Sequence, residues 1–155
     1  MSLDIQDLFR RVRVLPVVTI DAVSDAVPLA RALLAGGLSA IEVTLRTPAG
    51  LAAIEAIAAQ VPDMVVGAGT VLSPQDLTAV TAAGAQFALS PGSTPQLLAA
   101  AKDSAIGFVP GVATASEVMT VLATGLTTMK LFPASILGGP ALLRALSGPL
   151  AQALF

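Results

Sequence analysis

The stretch of sequence that decides the fold runs from residue 40 to residue 70 and reads AIEVTLRTPAGLAAIEAIAAQVPDMVVGAGT. It begins with the apolar run Ala40–Leu45, continues through an Ala/Leu-rich segment with helical spacing, and ends in the apolar run Met64–Thr70. Thr47 precedes Pro48, which is typical of a helix start because the hydroxyl can cap the helix and proline suits its first position. The stretch therefore predicts one strand–helix–strand unit.

The same alternation recurs along the chain. Further strand-like runs lie at Val12–Ile20, Gln86–Leu89, Ile106–Val109 and Thr127–Phe132. Helix starts are indicated at Ser73-Pro74, at Thr94-Pro95 and at the capping-box pattern Thr114-x-x-Glu117. Helix ends are indicated by glycine, at Gly36-Gly37, Gly84 and Gly125. Alternating βα units with short loops imply an α/β fold with a parallel sheet.

Two architectures fit this pattern, a doubly wound open sheet and a (β/α)8 TIM barrel. The regular spacing, with no dinucleotide fingerprint after the first strand, favours the barrel. Six complete βα units fit into 155 residues, and Ala151–Phe155 has the character of the start of strand seven. Because an eight-unit barrel usually needs about 250 residues, the chain is either an open six-unit sheet or a barrel sequence that has been cut short.

Composition narrows the possible chemistry. Hydrophobic residues make up 55% of the chain and charged residues 12%, and the sequence contains neither cysteine nor histidine. The absence of these two residue types excludes disulfides, thiolate nucleophiles, Ser-His-Asp triads and the usual zinc sites. The basic residues are dispersed except near the N-terminus, so no nucleic-acid partner is indicated. We expect no cofactor and no metal.

The high hydropathy does not predict a membrane protein. The longest charge-free stretch, Leu77–Ala101, is interrupted by glycine, proline and glutamine, whereas a spanning helix needs about 20 predominantly apolar residues. The first residues, Met1–Asp4, lack the basic and apolar regions of a secretory signal. We expect a single soluble, cytoplasmic domain over residues 1–155.

Lys130 is a lysine in an unexpected place. It interrupts the apolar run Leu126–Phe132, and Lys102 is the only other lysine of the chain. On a buried strand an ammonium group loses hydration, which disfavours the charged form, lowers its pKa and makes the amine nucleophilic. Lys130 is therefore our candidate nucleophile.

Glu42 is the candidate partner of this amine. With the two-residue period of a strand, Glu42, Thr44 and Arg46 share one face, opposite an apolar face formed by Ile41 and Val43. A simpler interpretation is that Arg46 reaches solvent and pairs with Glu42. We favour a functional role because a carboxylate in the middle of a buried strand is rare unless it is partnered.

These residue types fit Schiff-base chemistry on a 2-oxo acid. An amine that attacks a ketone forms a carbinolamine and then an imine, and a nearby carboxylate can transfer the protons of both steps. Arginine offers a bidentate fork for a carboxylate or phosphate. Lys130, Glu42 and Arg46 together therefore predict an enzyme with an amine nucleophile.

Two other segments are less specific. Gly67–Thr70 closes a strand with small residues, and Thr70 either donates to a substrate carboxylate or belongs to a tight strand exit. Gly138-Gly139-Pro140 precedes the last helix, where it either seats a phosphate or, as we prefer, forms a plain loop.

Four motifs in matching order resemble the 2-keto-3-deoxy-6-phosphogluconate (KDPG) aldolase / 4-hydroxy-2-oxoglutarate aldolase family. They are Glu42-Val-Thr-Leu-Arg46-Thr, Gly67-Ala-Gly-Thr-Val71, Ser90-Pro-Gly92 and Lys130-Leu-Phe-Pro-Ala134. The resemblance runs from the first strand to Phe155. It implies a (β/α)8 barrel, usually a homotrimer, and a class I aldolase that releases pyruvate and glyceraldehyde 3-phosphate from a phosphorylated keto-deoxy sugar acid.

The resemblance also implies a role for each matching residue. Lys130 would form the Schiff base and Glu42 would be the general acid and base. Arg46 and Thr70 would hold the pyruvyl carboxylate. The backbone around Pro91 and the ring of Phe132 would complete the substrate pocket.

The sequence departs from the family pattern in two places. The family continues after Phe155 with two phosphate-binding loops that are absent here, so we expect a barrel lacking its C-terminal quarter. Ala134–Gly139 lacks the Glu-x-Asn pattern of KDPG members and leans towards relatives that act on the galactonate epimer. The remaining alternatives are a non-catalytic fragment prone to association at its open sheet edges, and a phosphate-binding isomerase, which would leave Lys130 unexplained.

Overall fold

A computed structural model describes residues 4–155, and residues 1–3 of the expected domain lie outside the described part. The strands are β1 Val17–Val18, β2 Ala40–Thr44, β3 Val65–Gly69, β4 Phe87–Leu89, β5 Gly107–Val109, β6 Gly111–Val112 and β7 Lys130–Leu131. The α-helices are α1 Ile5–Arg11, α2 Ala26–Ala35, α3 Gly50–Gln60, α4 Pro74–Ala82, α5 Pro95–Lys102, α6 Ala115–Ala123 and α7 Pro140–Ser147.

The strands form two parallel sheets, one of five strands and one of two, in which neighbours follow the sequence order. Strands β1 to β5 pair successively, and β6 pairs with β7. Pro110 separates β5 from β6 because proline has no backbone N–H to donate to a ladder. Beyond β7, Leu154 forms a parallel bridge with Thr128, so the expected beginning of a seventh strand is confirmed. The α/β prediction is confirmed as six βα units of a barrel.

Several predicted boundaries were too wide. The run Val12–Ile20 contributes only the two residues of β1, because Val12 is the C-cap of α1. The run Thr127–Phe132 contributes only β7. Thr47-Pro48 does not begin a helix: α3 starts at Gly50 without a side-chain cap, and the Thr47 hydroxyl donates instead to the carbonyl of Ile20.

The other helix signals are confirmed. Ser73 and Thr114 each accept a hydrogen bond from the third helical residue within a capping box, and Thr94 caps α5 through the N–H of Leu97. The predicted C-terminal glycines at 37, 84 and 125 have positive φ angles of 86°, 89° and 92°. Local hydrogen bonding therefore fixes where these helices begin and end. Among residues 4–155, no helix combines the length and apolar character needed to cross a membrane.

The apolar residues form two separate cores. Alternate strand residues such as Ile41 and Val43 face the helices in the larger core. The smaller core lies on the other face of the sheet, where Phe87 and Leu89 pack with Leu8 of α1. The ring of Phe9 meets Phe87 edge-on, with ring centroids 6.1 Å apart. Helix α1 therefore covers the inner face of the sheet.

Gly67 makes room for this inner core, because a Cβ atom at that position would overlap the ring of Phe87. We expect Gly67→Ala to lower the free energy of unfolding by about 1–3 kcal/mol, the usual effect of overpacking. Gly92→Ala is the control, since a Cβ there meets nothing within 4 Å. Urea unfolding of both variants measures the difference, and equal stabilities would contradict the packing role of Gly67.

Candidate active site

The structure brings the predicted nucleophile and its partner together. Glu42 lies in the middle of β2 and Lys130 at the start of β7, with the Lys130 Nζ atom 3.9 Å from the Glu42 Oε1 atom. The Glu42 side chain is 4% exposed and that of Lys130 is 28% exposed. The carboxylate is thus almost completely shielded from water, while the amine remains accessible to a ligand. The simpler interpretation, in which Glu42 pairs with Arg46, is wrong, because the ion pair of Glu42 within residues 4–155 is with Lys130.

Gly69 determines where the Glu42 carboxylate can lie. Thr44 and Gly69 are register partners on β2 and β3, and a Cβ atom on Gly69 would overlap Oε1 of Glu42. In the sequence this glycine is only one of the small residues that close the strand. The structure shows instead that it makes space for the side chain of Glu42.

Burial moves both titrating groups towards their neutral forms. Desolvation raises the pKa of Glu42, although the positive charges of Lys130 and Arg46 oppose the rise. Desolvation likewise lowers the pKa of Lys130, with Arg46 adding to the fall and Glu42 opposing it. Nucleophilic attack needs a neutral amine, and proton donation needs a protonated carboxyl. Both pKa shifts therefore favour the forms that this chemistry needs.

Arg46 and Thr70 form the second part of the site. The Nε atom of Arg46 donates to the hydroxyl of Thr70 at 3.3 Å, which joins the loops after β2 and β3. Thr70 has a φ angle of 61°, a left-handed conformation that is strained for a β-branched residue. Strain of this kind persists where the surroundings fix it, and it clusters at functional sites.

Pro91 and Phe132 flank the lysine. The ring centroid of Phe132 lies 5.5 Å from the Lys130 Nζ atom, within range of a cation–π contact. Gly111 is the register partner of Lys130, and a Cβ atom on Gly111 would overlap the carbonyl group of Pro91. Both predicted residues therefore lie beside the predicted nucleophile, and their roles towards a substrate stay predictions.

A pair of hydroxyl groups extends the polar face of β2. The side-chain oxygens of Thr44 and Thr19 are 3.0 Å apart, with Thr44 fully buried and Thr19 exposed. The strand period places Thr44 on the face of Glu42, but it does not single out Thr19. A lone hydroxyl inside the apolar run Val17–Ile20 was the available signal, and it gave no indication of its partner.

A lysine beside a buried carboxylate, inside a parallel (β/α) barrel, is typical of barrel enzymes that use an amine nucleophile. The family model described as KDPG and KHG aldolase matches residues 5–155. The chain belongs to this family.

Individual relatives agree with this assignment. The chain is 50% identical over 145 residues to 2-dehydro-3-deoxy-phosphogluconate aldolase of Pseudomonas aeruginosa, covering 94% of this chain and 66% of that protein. It is 51% identical over 142 residues to KHG/KDPG aldolase of Escherichia coli K12, covering 92% and 67%. The chain thus spans about two thirds of the length of these curated relatives.

A solved structure adds a chemical observation on a relative. The KDPG aldolase of Legionella pneumophila, captured with pyruvate at low pH as a covalent carbinolamine intermediate, is 48% identical to this chain. It superposes with a TM-score of 0.89, covering 91% of this chain and 68% of that one. The barrel architecture expected from the sequence is thus shared with experimentally determined structures.

The electrostatics of the pair predict how Lys130 titrates. We expect its pKa to lie below the ordinary lysine value of 10.5, because burial disfavours the ammonium. Glu42→Gln should lower it further by removing the negative charge that stabilises the ammonium, whereas Arg46→Leu should raise it. Carbon-13 NMR of reductively methylated protein measures the titration directly.

The chain suits this measurement because Lys102 is its only other lysine, so Lys130→Arg assigns the resonances. Arg31→Leu, which removes a charge from α2, is the matched control for Arg46→Leu. An upward shift of the Lys130 titration in Glu42→Gln would contradict the coupling that we describe.

Proposed function

We propose that this chain is a class I aldolase that cleaves 2-keto-3-deoxy-6-phosphogluconate to pyruvate and glyceraldehyde 3-phosphate. The observation that carries the proposal is the 3.9 Å approach of the Lys130 amine to the buried Glu42 carboxylate, in a chain of this family. Relatives at 50% identity that are named for the gluconate substrate support this sugar configuration over the galactonate epimer.

The chemistry follows from the two groups. The neutral amine of Lys130 attacks the C2 ketone to give a carbinolamine, and Glu42 donates the proton with which the hydroxyl leaves as water. The imine then accepts the electrons of the breaking C3–C4 bond, while Glu42 takes the proton of the C4 hydroxyl. The aldehyde departs, the enamine is protonated at C3, and water releases pyruvate from the lysine.

Arg46 and Thr70 would orient the ketone for this attack. Within residues 4–155, the terminal nitrogens of Arg46 make no hydrogen bond or ion pair, since its contact with Thr70 uses Nε. Two terminal nitrogens can therefore bind a carboxylate in a bidentate manner. The Thr70 hydroxyl, already an acceptor from Arg46, keeps its own proton for the same carboxylate.

Trapping with borohydride tests the nucleophile. We expect pyruvate and sodium borohydride to add one reduced pyruvyl group to the protein, because the reductant converts the imine to a stable secondary amine. Intact mass spectrometry detects the adduct and peptide mapping locates it. An unmodified Lys130 after this treatment would overturn the proposal.

Two variants separate the roles within the pair. Lys130→Ala should abolish the adduct, while Lys102→Ala, which removes a lysine from the end of α5, should leave it intact. Glu42→Gln should slow adduct formation by roughly 10²–10⁴-fold, the usual contribution of a positioned acid or base. An unchanged rate would show that Glu42 is not the proton donor.

We further propose that the chain works in the cytoplasm as a homotrimer of single barrel domains. Support comes from large apolar side chains that are exposed in one chain, namely Leu72 at 60%, Met119 at 59% and Ile136 at 80%. Apolar exposure of this extent favours contact between protein surfaces.

The trimer predicts a definite particle mass. Light scattering coupled to size-exclusion chromatography should give three times the 15.4 kDa of one chain. A stable species with the mass of one chain across a wide range of protein concentration would contradict the proposed assembly.

A further inference from the structure

Thr47 follows Arg46 directly in the chain, and the proposed chemistry gives it no role. Its hydroxyl donates to the carbonyl of Ile20, just beyond β1, instead of capping a helix. Ile20 is 3% exposed and belongs to the larger core, so its carbonyl is a fixed anchor. Thr47 therefore ties the segment after β2 to a buried point on the neighbouring strand.

The bond from Thr47 lies where the backbone pairing of β1 with β2 has already ended. These two strands form two register pairs, the last of which is Val18–Val43. Beyond it the strand ends are joined by side chains, through the hydroxyl pair described above and through the bond from Thr47 to Ile20. Side-chain hydroxyls thus hold the end of β1 against the end of β2.

The backbone on both sides of Arg46 is tied to a neighbouring strand. The N–H of Leu45 donates to the carbonyl of Gly69 at 2.9 Å, which fixes the residue before Arg46 to β3. The hydroxyl of Thr47 fixes the residue after it to the end of β1. Helix α3 then begins at Gly50, whose N–H donates to the Thr47 carbonyl at 3.1 Å. Thr47 is therefore one of two anchors between which Arg46 is held.

The side chain of Arg46 depends on this backbone support, because few other contacts hold it. The residue is exposed, and among residues 4–155 its guanidinium makes a single hydrogen bond, from Nε to the hydroxyl of Thr70. A guanidinium binds a carboxylate through two parallel hydrogen bonds only when its planar fork faces both oxygens. The direction in which the backbone presents Arg46 therefore matters for carboxylate binding.

We propose that Thr47 is a positioning residue for the carboxylate of a 2-oxo acid, and that it acts through Arg46. This role rests on the proposed function, in which the carboxylate binds at Arg46 while the ketone forms an imine with Lys130. Loss of the Thr47 hydroxyl frees one of the two anchors of Arg46, so the guanidinium meets the carboxylate less often in the bidentate geometry. Thr47 thus affects the binding of the substrate and leaves proton transfer between Lys130 and Glu42 unchanged.

The dependence of trapping on pyruvate concentration tests this role. Sodium cyanoborohydride reduces the imine, so the rate of adduct formation gives both the half-saturating pyruvate concentration and the maximum rate. We expect Thr47→Val to raise the half-saturating concentration by about tenfold, within the 10²-fold that a misplacement of about 1 Å can cost. The maximum rate should stay the same, because Lys130 and Glu42 are untouched. A half-saturating concentration equal to that of the wild type would overturn the inference.

Two further variants separate the hydrogen bond from the packing of the side chain. Thr47→Ser keeps the hydroxyl and should bind pyruvate as the wild type does. Thr81→Val removes a comparable bond, from a hydroxyl to the Leu77 carbonyl at 2.7 Å on α4, and should change neither quantity. Binding as weak in Thr47→Ser as in Thr47→Val would refute a role for the hydroxyl. If Thr47→Val does not fold, Thr47→Ala removes the same bond and takes its place in every comparison.

A double-mutant cycle tests whether Thr47 acts through Arg46. Substitutions that act through one shared group do not add. In the Arg46→Leu background, Thr47→Val should therefore leave the half-saturating concentration where Arg46→Leu alone puts it. An equal tenfold rise in both backgrounds would show that Thr47 acts independently of Arg46, and the proposed role would be wrong.

Trapping by the wild-type chain separates this role from the proposed function. If the wild type traps pyruvate on Lys130 and Thr47→Val binds pyruvate equally well, the positioning role is wrong and the aldolase proposal stands. If the wild type does not trap pyruvate, both fall together.

Discussion

The site depends on the competition between desolvation and Coulomb attraction at one pair of residues. Taking the carboxylate of Glu42 out of water favours its protonated form, and partial burial of Lys130 favours the free amine. Their mutual attraction at 3.9 Å opposes both shifts without cancelling them. Each group is therefore closer to its neutral form than the free side chain would be, which suits the proposed roles of Glu42 as proton donor and Lys130 as nucleophile.

The shifted pKa values of Glu42 and Lys130 make the stability of the fold depend on pH. Because the pKa of Glu42 is raised, its stabilising contribution is present below its ordinary pKa of 4.5 and is lost as the pH rises through the raised value. Because the pKa of Lys130 is lowered, its contribution is present above 10.5 and is lost as the pH falls through the lowered value. At pH values between the raised pKa of Glu42 and the lowered pKa of Lys130 neither group adds this stability, so the packing of the apolar cores must hold the pair in place.

The features that were predictable from sequence depend on local chemistry. One example is a capping hydroxyl before proline, as at Ser73, and another is an alternating strand with one acid, as at Glu42. Both patterns can be recognised within a few residues of sequence. The features that were missed depend on contacts across strands. The sequence could not show that Gly69 makes space for a carboxylate on the neighbouring strand, nor that the hydroxyl of Thr47 would bond to the carbonyl of Ile20 and leave α3 uncapped.

The two strands that carry Glu42 and Lys130 have unequal backbone pairing, because Pro110 interrupts the sheet. Strand β2, which carries Glu42, is held to β3 by five register pairs, whereas β7, which carries Lys130, is held to β6 by two. Local opening of a strand becomes easier as fewer ladder bonds resist it, so β7 should open more readily than β2. The proposed proton donor is thus fixed in a rigid frame, while the proposed nucleophile lies on a more compliant strand, as would suit a group that has to follow the change from trigonal ketone to tetrahedral carbinolamine and back.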